Sequence, residues 1–146
     1  MLITLTRIKR RLLYVIVFEI TAIILSTFVL MLLSNSDVDE SLPVAILMST
    51  AAVVWNYLFN TAFEFWETRQ QINKRTLAVR SLHALGFEGG LILICVPLYM
   101  VWYGVDLWTA FAMEAALLLF FLVYTFVFTF LFDQVFILQH QMPAKA

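Results

Sequence analysis

Four long apolar segments constrain the fold of this chain more than any other feature. Because an α-helix rises about 1.5 Å per residue, about 20 residues cross the roughly 30 Å hydrocarbon core of a bilayer. Hydrophobic residues make up 63% of the chain and charged residues only 13%, which is not the composition of a soluble domain. The sequence therefore predicts an all-α membrane protein with four transmembrane helices, at about Leu12 to Leu33, Leu42 to Glu67, Leu82 to Trp102 and Leu107 to Leu138.

The distribution of basic residues predicts how these helices are oriented. All nine lysines and arginines lie before the first segment, around the link between the second and third, or at the tail, whereas the other two loops carry only acidic charges. Loops rich in Lys and Arg stay in the cytoplasm, so both termini and the central link are expected there. The first segment is too long for the apolar part of a signal peptide and is expected to remain as an anchor.

An internal repeat divides the chain into two helical hairpins. Sliding residues 11–70 over 80–139 without a gap matches polar and aromatic positions that hydrophobicity alone would not force to agree. We expect a first hairpin over 1–70, a cytoplasmic linker over 71–79, and a second hairpin with a short tail over 80–146. Each hairpin has an even number of spans, so the repeat is parallel, with a pseudo-twofold axis along the membrane normal. The matched pairs include Arg11 with Arg80, Phe18 with Phe87, Glu19 with Glu88, Asp37 with Asp106 and Phe59 with Phe128.

Glu19 and Glu88 are the strongest candidates for functional residues. Each lies eight residues past an arginine, about 12 Å along a helix from the predicted cytoplasmic boundary. Acids inside a membrane usually face a bundle interior or a wet cavity. Burial disfavours the ionised form of a carboxylate and a nearby cation favours it, so proton and cation compete for one group, which is a minimal mechanism for antiport. The alternative is that each acid pairs with Arg11 or Arg80 and only fixes helix packing.

Two sets of polar residues on the returning helices are expected to face these acids. Within each set the spacing is i, i+4, i+8, which places the three side chains on one helix face and predicts a polar vestibule open to the cytoplasm. The amides and hydroxyls could instead be hydrogen-bond contacts between helices. The terminal acids could be solvated or paired with Arg11 or Arg80. The sets are Asn56, Asn60 and Glu64 in the first hairpin, and Thr125, Thr129 and Asp133 in the second.

Three further residues are weaker candidates. Glu114 breaks the repeat, since its counterpart is Ala45, and it lies in the outer half of the fourth segment. It could be an outward proton station or could simply hydrogen-bond to a neighbour. Trp55 and Tyr124 could stack on aromatic cations. The sequence contains no metal-ligand spacing, nucleophile arrangement, Gly-rich phosphate loop or basic arm, so we expect no cofactor, no enzymatic activity and no nucleic-acid binding.

Four motifs in order resemble the proteobacterial antimicrobial compound efflux family, and the resemblance covers essentially the whole chain. Three positions depart from the family pattern and bear on the substrate range: Tyr14 in place of histidine, Glu64 in place of aspartate and Thr129 in place of asparagine. The motifs are Arg80-x-x-His83-Ala84-x-x-Phe87-Glu88-Gly89-Gly90, its weaker copy around Arg11 and Glu19, Trp55-Asn56-x-x-Phe59-Asn60-x-x-Phe63-Glu64, and Tyr124-Thr125-Phe126-x-Phe128 with Asp133.

The resemblance implies a proton-coupled exporter of cationic biocides in the bacterial inner membrane. Chlorhexidine, diamidine, acridine and quaternary ammonium compounds are the implied substrates, with short-chain polyamines, diamines among them, as the implied physiological ones. The family's coupling glutamate corresponds to Glu19, so we expect Glu19 to exchange proton for cation and Glu88 mainly to shape the site.

Two other classes of function remain open: a membrane assembly module that uses the acids as interhelical pairs, and a passive cation pore. Because four helices are few to enclose a path for a bulky cation, a homodimer is expected.

Overall fold

The computed structural model describes residues 3–138 as a bundle of four long helices. All four are long and apolar enough to cross a membrane, which confirms the predicted all-α membrane fold. A short parallel strand pair joins the two ends of this range, so both ends lie on one side of the bundle; that this side is cytoplasmic stays a prediction. The elements are β1 (Ile3–Leu5), α1 (Arg7–Ser34), α2 (Val38–Arg69), α3 (Leu77–Tyr103), α4 (Leu107–Val135) and β2 (Phe136–Leu138).

Helices α1, α2 and α3 begin at Arg7, Val38 and Leu77, four or five residues before the predicted apolar segments, and α4 ends earlier than predicted. Helix α2 begins at Val38 rather than at Leu42, so Pro43 lies inside the helix, in its second turn. Asp39 and Glu40 in the first turn favour the earlier start, because acidic side chains stabilise the positive end of the helix dipole. Helix α4 ends at Val135 instead of continuing to Leu138, because residues 136–138 pair with β1.

The two loops within the hairpins are built alike. Asn35 and Gly104 follow α1 and α3 in the left-handed conformation, with φ of 52° and 63°. Asp37 and Asp106 then occupy the N-cap positions of α2 and α4. These pairs are related by the same offset that superimposes residues 11–70 on 80–139, so the repeat in the sequence reappears in the turns.

The two interfaces between the hairpins are also equivalent. Where α2 packs on α3, the Trp55 indole donates a 3.0 Å hydrogen bond to the carbonyl of Phe87. Where α1 packs on α4, the Tyr124 hydroxyl donates a 2.9 Å hydrogen bond to the carbonyl of Phe18. The repeat offset relates both donors and both acceptors. A second related pair of contacts joins His83 Nε2 to Asn60 Oδ1 at 2.7 Å and the Tyr14 hydroxyl to Thr129 Oγ1 at 2.8 Å.

Gly90 allows the Trp55 ring to lie directly against α3. A Cβ atom at Gly90 would overlap that ring, whereas a Cβ atom at Gly89 would have no neighbour within 4 Å. At the related position of the other interface Thr21 meets the smaller ring of Tyr124, and the two hydroxyls are 2.5 Å apart. The two interfaces between the hairpins therefore have different residue pairs at equivalent positions, Gly90 with Trp55 in one and Thr21 with Tyr124 in the other.

The link between the hairpins is fastened to the end of α2. Arg75 Nε and Nη2 donate to the two carboxylate oxygens of Glu67 at 2.7 and 3.0 Å. The hydrogen bond to Glu67 raises the pKa of the Arg75 guanidinium above its usual value, so the arginine stays charged at any physiological pH.

The packed core lies near the two intra-hairpin loops. Leu30, Val44, Tyr99 and Ala110, one from each helix, are at most 1% exposed. Toward the chain ends the bundle is more open, and a cavity extends from the edge of this core, with Leu30 and Tyr99 in its lining.

Candidate functional site

A cavity of about 1150 Å³ runs along the interior of the bundle and is lined by all four helices. Most of its wall is apolar, which is typical of pockets that take organic ligands. Its polar lining includes three glutamates at the level of the membrane core and an aspartate at the end nearer the chain termini. The polar and acidic lining residues are Glu19, Ser26, Ser49, Glu88, Tyr99, Glu114, Thr125, Thr129 and Asp133.

Glu19 is held on the wall of this cavity by a hydroxyl group. The Ser49 hydroxyl of α2 donates a hydrogen bond to Glu19 Oε2. A serine hydroxyl can donate to an ionised carboxylate and accept from a protonated one. Ser49 is thus a partner for either state of Glu19. The motif analysis did not single out Ser49, although it lies seven residues before Asn56 and so on nearly the same face of α2.

Glu88 has a different environment from its repeat partner. Its Oε2 atom is enclosed and has no hydrogen-bond partner within residues 3–138. The reason lies in the sequence, because the repeat position of Ser49 is Leu118, which lines the same cavity but has no hydroxyl group. Two acids that are equivalent in the repeat therefore differ in how well their charge is stabilised.

Glu114 is the most buried acid of the cavity. Its side chain is 4% exposed, and the fully buried Tyr99 donates a 3.0 Å hydrogen bond to Glu114 Oε2. The sequence left open whether Glu114 bonds to a neighbour, and this contact shows that it does. It also lines the cavity, so its side chain borders the space that a ligand would occupy.

The first polar set is placed differently from the expectation. Asn56, Asn60 and Glu64 are not among the described residues that line the cavity. Asn60 instead contacts His83 on α3 and donates to the side chain of Asn56, and Glu64 is exposed. The expectation that this set faces Glu19 is wrong, because this part of α2 packs against α3.

The second polar set does line the cavity. Thr125, Thr129 and Asp133 follow one another along α4. Asp133 forms an ion pair with Arg10, not with Arg11 or Arg80 as considered from the sequence. Arg10 Nε also donates to the carbonyl of Phe136 at 3.0 Å, so this arginine joins α1 to the end of α4.

A smaller cavity of about 590 Å³ adjoins this end of the bundle. It shares Thr129 and Asp133 with the main cavity, and Arg7, Arg10 and Arg11 line its other side. Asp133 therefore stands between the main cavity and the basic end of α1.

The aromatic candidates Trp55 and Tyr124 contact neighbouring helices rather than the cavity. The polar atoms of Trp55 and Tyr124 are used by the carbonyls of Phe87 and Phe18, and neither ring lines the main cavity within the described range. The phenylalanine rings of Phe18 and Phe87 do line it. Across residues 3–138 no group of three or more His, Cys, Asp or Glu side chains could hold a metal ion.

Fold and cavity together define a multi-pass membrane protein built from two tandem helical hairpins around an acid-lined, organic-ligand-sized cavity. The chain belongs to the family described as chlorhexidine efflux transporter, whose model matches it twice, at residues 6–69 and 75–138. This confirms the resemblance to the proteobacterial antimicrobial compound efflux family and places the chain among transporters rather than enzymes. The two matched ranges differ by the repeat offset.

Three relatives are named short-chain diamines transporters. The chain is 32% identical to the one from Acinetobacter baylyi over 87% of this chain and 89% of the relative. It is 34% identical to those from Acinetobacter baumannii and Vibrio parahaemolyticus, again over 87% of this chain and over 88% and 90% of the relatives. No solved structure matches the chain significantly.

Proposed function

We propose that this protein is a proton-coupled antiporter that exports organic cations across the bacterial inner membrane. The observation that carries the proposal is the set of three glutamates on the wall of one largely apolar cavity. An ionised carboxylate in such surroundings is costly unless a cation or a proton neutralises it. Each acid is therefore occupied by one or the other, and exchange between them couples the two movements.

Glu19 is the exchanging group in this scheme. Its Ser49 partner can stabilise both the ionised and the protonated carboxylate by rotating its hydroxyl. The proton arriving from outside displaces the cation, and the next cation from the cytoplasm displaces the proton. Glu88, whose Oε2 atom has no hydrogen-bond partner among the described residues, contributes to the negative electrostatic potential that attracts the cation.

The substrates follow from the size and chemistry of the cavity. Its volume and apolar wall suit chlorhexidine-like, acridine and quaternary ammonium compounds, and its acids suit short-chain diamines, the substrates in the names of the three relatives. The phenylalanine rings of Phe18 and Phe87 offer faces for cation–π contact.

The proposed topology keeps both termini and the 71–79 link in the cytoplasm, with the hairpins at 1–70 and 80–146 as the repeat units. Four helices enclose the cavity incompletely, since many apolar lining side chains such as Leu119, Leu122 and Phe126 are exposed. A homodimer would cover part of this apolar surface, and the remainder would face lipid.

Reconstitution into proteoliposomes tests the coupling. An antiporter accumulates a fluorescent cation against its concentration gradient when a pH gradient is applied, and addition of substrate on one side drives protons the opposite way. A passive pore lets the cation equilibrate but never accumulate, and an assembly module moves neither species. Either of these last two results would end the antiporter proposal.

A second prediction concerns the ion pair between Arg10 and Asp133. Asp133→Asn should raise the apparent KM for a cationic substrate about threefold, because it removes a charge from the cavity end. Arg10→Gln should leave KM unchanged or lower it, because it frees the same carboxylate. Since Asp133 is exposed and Arg10 only partly buried, both variants should lose less than about 1 kcal/mol of stability. Equal increases in KM for the two variants would show that the pair acts only on structure.

A further inference from the structure

Glu114 forms a second acidic level in the cavity, displaced from Glu88 along the membrane normal. Glu88 lies fifteen residues before the end of α3 at Tyr103, and Glu114 lies seven residues after the start of α4 at Leu107. With a rise of about 1.5 Å per residue, the two acids are on the order of 10 Å apart along the bundle. The Cys95 and Leu91 side chains of α3 line the cavity between them.

The environment of Glu114 is that of a binding group rather than of a closed structural pair. Tyr99 donates to Oε2, and no cation of the described chain pairs with the carboxylate. A buried carboxylate normally has its charge compensated. The repeat position carries Ala45, which is buried in the same core, so the fold does not require an acid at this point.

Glu88 and Glu114 together give the cavity two acidic groups at different depths. The enclosed Oε2 of Glu88 is unpartnered and lines the same cavity as Glu114. A molecule with a single positive charge can satisfy only one of these acids. A molecule with two positive ends and an apolar spacer can satisfy both, with its spacer along the apolar wall between them.

We propose that Glu114, positioned by Tyr99, binds the second cationic group of a dicationic substrate whose first group is bound at the level of Glu19 and Glu88. This assignment rests on the proposed export of organic cations and names the substrate class that the cavity prefers. It predicts that removal of the Glu114 carboxylate weakens the binding of dications more than that of monocations.

Calorimetric titration of the purified full-length protein with matched ligands tests this assignment. The ligands are hexamethylenediamine and n-hexylamine, which have nearly the same length and differ by one charge. The wild-type protein should bind the diamine at least about tenfold more tightly than the amine. Glu114→Gln keeps the size of the side chain and an acceptor for Tyr99, and should abolish that preference because the second ammonium group of the diamine loses its partner.

Two further variants complete the test. Tyr99→Phe removes the hydrogen bond but keeps the carboxylate, so a preference for the diamine should remain. Glu114→Asp shortens the side chain and should move the tightest binding to a longer diamine in a series from putrescine to octamethylenediamine. The assignment is overturned if Glu114→Gln keeps the wild-type preference, if it weakens both ligands equally, or if Glu114→Asp leaves the length optimum unchanged. If the wild-type protein shows no proton-driven transport, the antiport mechanism is contradicted. The binding comparison between the diamine and the amine still tests the role of Glu114 in that case.

Discussion

Replacing Glu19 with glutamine is expected to abolish export driven by a pH gradient while the protein still folds. Glutamine fills the same space and can still accept the hydrogen bond from Ser49, so α1 should keep its packing on α2. What it cannot do is exchange a proton for a cation. Losing the buried counter-charge of a bound cation costs about 3 kcal/mol or more, which is roughly a hundredfold in affinity. Proteoliposome transport and thermal unfolding in detergent measure the two effects separately.

Ser49→Ala is the matched control for this variant. It keeps the Glu19 carboxylate and removes only the hydroxyl that bonds to it, so transport should fall by about tenfold or less and the coupling should remain. Leu118→Ser supplies the corresponding hydroxyl to Glu88 and tests whether the difference between the two acids depends on it. Proton-driven export of every cation tested by the Glu19→Gln protein would show that the exchanging role belongs to another acid, with Glu88 as the first alternative.

The elements that depend on local chain properties could be predicted from the sequence. Four apolar runs of more than about 20 residues leave little choice but four spanning helices, because lipid satisfies no backbone hydrogen bond. The repeat was visible because acids and aromatics recur at fixed positions, and the structure shows why some of them recur. Tyr124 and Trp55 both donate to a phenylalanine carbonyl on the first helix of the other hairpin. The shared aromatic positions therefore record an interface between hairpins.

The direction in which each polar face points could not be predicted from spacing. The i, i+4, i+8 pattern places Asn56 and Asn60 on one face of α2 but does not say which neighbour that face meets, and in the structure it meets His83. Conversely, Ser49 lies beside Glu19 because α1 packs on α2, and the spacing of residues along α2 does not predict this contact. The unpartnered oxygen of Glu88 depends on Leu118, which lies thirty residues away on a different helix and occupies the repeat position of Ser49. Only the three-dimensional repeat reveals this relation.

Gly90→Ala is expected to cause the largest loss of stability for the smallest change in the chain. The added methyl group would overlap the Trp55 ring, which must then move and lose its hydrogen bond to Phe87. Overpacking costs about 1–3 kcal/mol and the lost hydrogen bond about 1 kcal/mol. At about 2–4 °C per kcal/mol for a chain of this size, the thermal unfolding midpoint in detergent should fall by about 5–15 °C.

Gly89→Ala is the matched control, one residue away on the same helix. A Cβ atom there meets nothing within 4 Å, and alanine is the better helix former by up to about 1 kcal/mol, so the midpoint should stay or rise. A rescue follows from the repeat, because Thr21 and Tyr124 occupy the related positions in the other interface. Gly90→Thr combined with Trp55→Tyr copies that pair and should recover most of the lost stability. Equal midpoints for the two alanine variants would show that Trp55 does not lie against α3, and failure of the paired substitution would show that the two interfaces between the hairpins are not interchangeable.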